Sequence, residues 1–341
     1  MAKPIVDKDV INIIQAHEDK TAKYISLFVF FKSFAHSAAF VDKLTPVSGI
    51  FVKRLNFMPV VIVTFLKHQS VLPLLLRDPY VKHIALNNPA GEKIELQSEA
   101  TKPKVPFRYP GIDLWWNHGF KGQSGIIGLI DSGIAPDHPS LSGKKIIINK
   151  RLNSYYSKYP YGVRSPHGTG VACIYAGYPQ DKQKRIRGVA YKTATILSTL
   201  AGEGNHHKED YYLTYSSLNW LLSGFSGKPS IINYSFGNGD VTCPFCSDWS
   251  GMAKIVDYIV NQEKILWVTS AGNNGFIKPR THYPFASTMT VPAESYNALT
   301  VANMNMYAEE EYTVARKYMR ATHAIRYTSS RGPTLIGRKK P

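Results

Sequence analysis

Three short stretches hold side chains that could move a proton or steady a developing charge. Asp131 closes the apolar run Gly125-Ile-Ile-Gly-Leu-Ile130 and is followed by Ser132-Gly133. A carboxylate there is buried at its base and costly unless something pairs with it, although an aspartate that merely opens a turn reads the same way. His167 sits in Pro166-His-Gly-Thr-Gly-Val-Ala172. Placed in the first turn of a helix, with glycines that let the helix pack closely, it has a simpler account on its own as a capping or surface histidine. Asn273 lies in Thr269-Ser-Ala-Gly-Asn-Asn-Gly275, directly after the apolar run Ile265–Val268. An amide at such a strand end can donate to an oxyanion, while Asn-Gly is also a common turn pair.

Working groups in open parallel sheets sit at the carboxyl ends of strands, so the surrounding elements decide what these residues can do. From Gly111 onward, short apolar runs alternate with helical spacing, the pattern of a doubly wound α/β fold with a mostly parallel sheet. The spacing predicts strands at Gly125–Ile130, Ala194–Leu200, Ser230–Asn233, Ile265–Thr269 and Leu299–Ala302, and helices at Gly168–Ala176, Tyr211–Leu222 and Asp248–Glu263. Upstream, strands are predicted at Tyr24–Phe31, Gly49–Leu55, Pro59–Phe65 and Val81–Asn87, with helices at Ser37–Leu44 and His68–Leu76. That order is βαββαβ, a small ferredoxin-like α+β unit. Four segments follow: an N-terminal extension (1–22, a short helix or an extended stretch), the βαββαβ unit (23–88), a proline-rich linker (89–110), and the α/β domain (111–341).

The order Asp, then His, then Asn in a Gly-Asn turn, each at a strand or helix end, is similar to that of the subtilases, the subtilisin-like serine proteases of peptidase family S8. Asp131-Ser-Gly-Ile-Ala-Pro-Asp-His-Pro139 resembles the family's aspartate segment, and His167-Gly-Thr-Gly170 its histidine segment. Ser330-Arg-Gly-Pro-Thr334 resembles the stretch preceding its serine region, and the βαββαβ unit resembles its inhibitor-I9-like prodomain. The resemblance implies a serine endopeptidase acting on peptide or protein substrates, with its own prodomain as intramolecular inhibitor. His167 would be general base and then acid, Asp131 would fix its tautomer, and Asn273 would line the oxyanion hole. Ser235-Phe236-Gly237 resembles the family's substrate strand, whose backbone pairs with an extended peptide.

The family's nucleophile sits in a Gly-Thr-Ser segment after an Ala-Pro-Gly turn, and neither segment occurs in the 341 residues. Ser329 and Ser330 match a different segment, so neither is expected to be the nucleophile. The chain as it stands is therefore expected to be C-terminally truncated and inactive. The alternative is a non-catalytic, peptide-binding pseudoprotease or interaction protein. No cofactor is expected. Calcium is not supported, because Ser140 stands where the family often has a carboxylate.

Cys243-Pro-Phe-Cys246 lacks the second pair of a zinc site and reads as a substrate-side loop. Cys173 reads as a packed small apolar residue. An odd count of three cysteines argues against a disulfide framework. The net charge of +17 is spread along the chain. With no nucleic-acid motif, basic clusters such as Lys182–Arg187 and Arg338-Lys339-Lys340 read as solvated faces. Neither nucleic acid nor membrane is expected as a partner. The N-terminus, with charges of both signs and no early apolar stretch, gives no signal peptide, so the chain as written reads as cytoplasmic, with secretion open should the true start lie elsewhere.

Overall fold

Tyr24–Phe31 forms strand β2, whose eight residues are almost all β-branched or aromatic. The computed structural model describes residues 3–15, 24–66, 69–87, 111–150, 165–178, 187–201, 210–224, 227–237, 249–275, 288–303, 325, 329–334 and 338–340. Two compact units emerge. One comprises Met1–Glu92, Gly202–Tyr212 and Ser235–Pro341, and the other Lys93–Ala201 and Leu213–Tyr234.

In the first unit, β2 pairs antiparallel with β4 (Val60–Leu66) and β5 (Val81–Leu86), and β3 (Ile50–Arg54) pairs with β4. Helices α2 (Phe34–Leu44) and α3 (Leu72–Arg77) fall in the βαββαβ order. The alternating residues Leu27, Val29 and Phe31 of β2 face Phe40, Leu44, Val63 and Ile84 in one core. The helix expected from His68 begins only at Leu72, because Pro73 lacks an N–H and fits only the first turn. Ahead of this unit, β1 (Ile5–Val6) pairs parallel with β5, and α1 (Lys8–Gln15) places Val10 in the same core.

The same unit carries α7 (Gly251–Tyr258), shorter than the Asp248–Glu263 helix expected. Ser250 caps its start by accepting the Ala253 N–H at 3.1 Å. Its far end widens into a π turn over Ile259–Glu263 that stops at Lys264, where φ is +56°. Strands β10 (Leu266–Ser270) and β11 (Leu299–Val301) follow as a parallel pair. The basic tail is not the solvated face the sequence suggested. Arg338 lies 3.9 Å over the Tyr296 ring, and Lys340 Nζ donates to the Ala298 carbonyl at 2.8 Å.

Glu294, 7% exposed in this unit, accepts the Ser250 N–H at 3.4 Å through Oε1, while its buried Oε2 has no partner among the described residues. Burial pushes its carboxyl up to about 7, against the opposing pull of Ser250 and Arg338. A carboxyl raised on folding stabilises the protein below its unfolded value, and that stabilisation is lost as pH rises through the folded value. Stability by chemical denaturation is therefore expected to fall by about 2 kcal/mol between about pH 5 and pH 8, and Glu294→Gln is expected to flatten that slope.

In the second unit, β6 (Ile126–Asp131) pairs parallel with β8 (Thr195–Leu200) and with β9 (Ile231–Tyr234), and β7 (Lys145–Ile148) pairs parallel with β8. Helix α5 (His167–Ala176) lays Ala172 and Ala176 against Leu129 and Ile196. Helix α6 (Asp210–Leu222) brings Leu221 to Gly128, where an added Cβ would sit 3.4 Å from it. Strand β6 is thus covered on both faces, which is why it reads as a continuous apolar run. The sequence reading missed β7 and α4 (Ile112–Asn117), each too short to carry a period.

Candidate active site

Asp131 is the last residue of β6 and is completely buried. His167 is the first residue of α5, and its Nδ1 donates to Asp131 Oδ1 at 2.7 Å. Oδ1 also accepts the Ser132 N–H at 2.7 Å, while the buried Oδ2 has no partner among the described residues. With Nδ1 carrying the proton, the neutral ring has its lone pair on Nε2, the tautomer a general base needs.

The contact depends on how closely α5 approaches the strand end. A Cβ on Gly168 would lie 2.2 Å from the Gly133 carbonyl and 3.0 Å from Asp131 Oδ1, so only glycine fits. The Ser132 hydroxyl buckles the two elements together, donating to the Ser165 carbonyl at 3.0 Å and accepting the Gly168 N–H at 3.0 Å. Thr169 Oγ1 accepts the Ala135 N–H at 3.0 Å. Burial and the nearby Asp131 charge hold the Tyr175 phenol well above its ordinary range. Sequence reasoning missed the roles of Ser132, Gly168 and Thr169. The signal lay in the small and hydroxyl residues flanking each chemical group.

Asn273 is exposed in the turn after β10. Its neighbour Gly272 has φ +109°, a backbone that side-chain-bearing residues rarely adopt. Ser330 holds this turn: its N–H donates to the Gly272 carbonyl at 2.9 Å, and its hydroxyl accepts the Asn274 N–H at 2.9 Å. Ser329 is likewise buried and accepts the Asn303 N–H at 3.1 Å. Both hydroxyls therefore hold backbone.

Ser235-Phe236-Gly237 directly follows β9, and Phe236 is buried. A Cβ on Gly237 would lie 2.1 Å from Thr290 Oγ1, and one on Gly272 2.9 Å from the same atom. Thr290 thus fills the gap between the turn of Asn273 and the segment after β9. Within the second unit the structure brings Asp131 and His167 into contact, and within the first it brings Gly237 and Gly272 against one residue.

Cys173 is half-buried beside the core of α5, with Sγ 3.5 Å from His138 Nδ1, and burial pushes its thiol up. Cys243 and Cys246 lie outside the described residues. Among the described residues no group of three His, Cys, Asp or Glu could hold a metal ion. No helix among them is long and apolar enough to cross a membrane.

A parallel α/β sheet with a buried carboxylate against an imidazole at a strand end defines an α/β protein equipped for proton transfer. The Subtilase family (Peptidase_S8) matches residues 122–341, and the chain belongs to that family. Among solved structures it is similar to fervidolysin from Fervidobacterium pennivorans, a keratinolytic enzyme related to subtilisin. That match has 17% identity and a TM-score of 0.53, and covers 89% of this chain and 46% of that one. It is also similar to the epidermin leader peptide processing serine protease EpiP from Staphylococcus aureus, with 16% identity and a TM-score of 0.53, covering 91% of this chain and 72% of that one. A third match, the prenylagaramide maturation protease PagA, has 19% identity and a TM-score of 0.40, and covers 58% of this chain and 60% of that one. The chain thus spans less than half the length of fervidolysin.

Proposed function

We propose that the protein is a serine endopeptidase in which Asp131 orients His167, His167 transfers the proton and Asn273 stabilises the oxyanion. The observation that carries this is the 2.7 Å contact between His167 Nδ1 and the buried Asp131 carboxylate. His167 Nε2 takes the serine hydroxyl proton as the serine oxygen bonds to the scissile carbonyl carbon. The Asn273 amide donates to the carbonyl oxygen as it becomes an oxyanion. The imidazolium then gives its Nε2 proton to the leaving amine as the C–N bond breaks.

Ser235-Phe236-Gly237 offers backbone to an extended peptide, giving affinity with little demand on sequence. Similar folds in a keratinolytic enzyme and a leader-peptide-processing protease fit a polypeptide substrate. The βαββαβ unit over residues 23–88 serves as folding prodomain and inhibitor. The nucleophile belongs to a Gly-Thr-Ser segment, which residues 1–341 do not contain, so activity is a property of protein that carries that segment.

In such protein a fluorophosphonate probe is expected to label the serine. Asn273→Ala is expected to lower kcat about 10²- to 10³-fold with KM little changed, because the donor acts on charge that exists only in the transition state. Absence of labelling, together with retained binding of extended peptides, points instead to a peptide-binding protein without catalysis.

A further inference from the structure

Residues 5–10 add something the βαββαβ unit does not need. Ile5–Val6 extends the sheet by pairing with His83 and Ile84 of β5, and the Asp7 N–H donates to the Ile84 carbonyl at 3.0 Å. A two-residue strand has little stability alone, so its anchors matter. One is Val10, which is fully buried in the core of the sheet.

The other anchor is Asp7, which reaches across to α7. Asp7 Oδ1 lies 2.6 Å from His83 Nε2, and Oδ2 accepts from Lys254 Nζ at 2.9 Å. Lys254 Nζ also lies 3.4 Å from His83 Nε2 and 5.1 Å from the Trp249 ring centroid. The three side chains are only 16% (Asp7), 19% (His83) and 10% (Lys254) exposed. Beside them α7 lies directly on the sheet's second face, since a Cβ on Gly251 would sit 2.3 Å from the Phe28 ring and 3.1 Å from Ala85 Cβ.

We propose that residues 5–10 are a strap that fastens the N-terminal sheet to α7, with Asp7 as the buckle between His83 on β5 and Lys254 on α7. Asp7 is the carboxylate these two groups share. Without it, a largely buried ammonium is left against an imidazole, which costs more than the lost attraction alone. The strap therefore couples the seating of residues 81–86 to that of residues 251–258, although Asp7 and Lys254 stand 247 positions apart. The coupling is independent of the proposed catalytic role.

The strap is also resistant to mild acid. Burial would raise the Asp7 carboxyl, but hydrogen bonds from His83 and Lys254 and the Lys254 charge outweigh it and hold the group below its ordinary value. A depressed carboxyl stabilises the fold above the unfolded aspartate value of about 3.9 and loses that effect only as pH falls through the folded value. Among the described residues, the titratable groups facing Asp7 are His83 from β5 and Lys254 from α7.

Hydrogen exchange on the whole chain tests this with Asp7→Asn, Lys254→Met and the double variant. Each single change is expected to speed amide exchange about tenfold in both 81–86 and 251–258, and the double variant to add little further. Lys254→Met keeps the stem packed, so it reads the coupling even if Asp7→Asn folds poorly. Faster exchange confined to residues 5–15 in Asp7→Asn, or effects that multiply in the double variant, would overturn the strap. Protection of both segments in the wild type is expected to be no lower at about pH 5.5 than at about pH 7 after correction for intrinsic rates; loosening at the lower pH would overturn its acid resistance.

Discussion

Protein that carries the Gly-Thr-Ser segment is expected to lose about 10⁶-fold in kcat when His167 becomes alanine. The size follows from the imidazole's two successive tasks, removing the serine proton and returning it to the leaving group. A serine hydroxyl without a base is a weak nucleophile near neutral pH, and only binding and the oxyanion donor remain. The substitution should spare the fold. His167 starts α5, whose approach to β6 is held by the Ser132 hydroxyl on the Gly168 N–H and by Thr169 on the Ala135 N–H, both independent of the ring. The measurement is kcat on a peptide amide substrate, with KM and the melting temperature as controls. A loss smaller than about a hundredfold would assign the base to another residue.

Asp131→Asn is expected to cost about 10⁴-fold in kcat, less than losing the base itself. Asp131 Oδ1 accepts from both His167 Nδ1 and the Ser132 N–H, while Oδ2 is buried without a partner among the described residues. An asparagine amide nitrogen in the Oδ1 position would meet two donors. In the Oδ2 position it would be a buried donor with no acceptor, at a cost of about 1–3 kcal/mol. The first arrangement drives the ring to its other tautomer, with the proton on Nε2 and no lone pair for the serine. The melting temperature and KM separate this from simple unfolding, because the wrong tautomer lowers kcat while peptide binding is retained.

The strand that ends in Asp131 was legible because a parallel strand covered on both faces must be apolar throughout, and an acid at its tip breaks that pattern. Tyr24–Phe31 was legible for a similar reason: six β-branched or aromatic residues among eight leave little alternative. Lys145–Ile148 was not read as a strand, because four residues carry no period and the pairing with β8 supplies the order. The helix after Ser250 was read to Glu263, where its helical turns do end, but its opening into a π turn from Ile259 left no mark on the apolar spacing. Individual chemical groups could be named from their motifs. The buckle that seats them could not, because Ser132 and Gly168 look like ordinary turn residues until their contacts are seen. The contact of Asp7 with Lys254 had no local signature at all, and the docking of Arg338 and Lys340 depends on a loop some 40 residues away.

The account turns on a proton held between the His167 ring and the Asp131 carboxylate, and that proton can be observed without any nucleophile. A strongly hydrogen-bonded, buried imidazole N–H is deshielded and protected from exchange with water. The proton NMR spectrum of the 341-residue chain is therefore expected to show a resonance far downfield of the amide region that is lost in both Asp131→Asn and His167→Ala but kept in Asp7→Asn, which assigns it to His167 Nδ1–H rather than to the His83 ring beside Asp7. A spectrum without such a resonance from acid to neutral pH, or one in which it survives Asp131→Asn, would contradict the pairing.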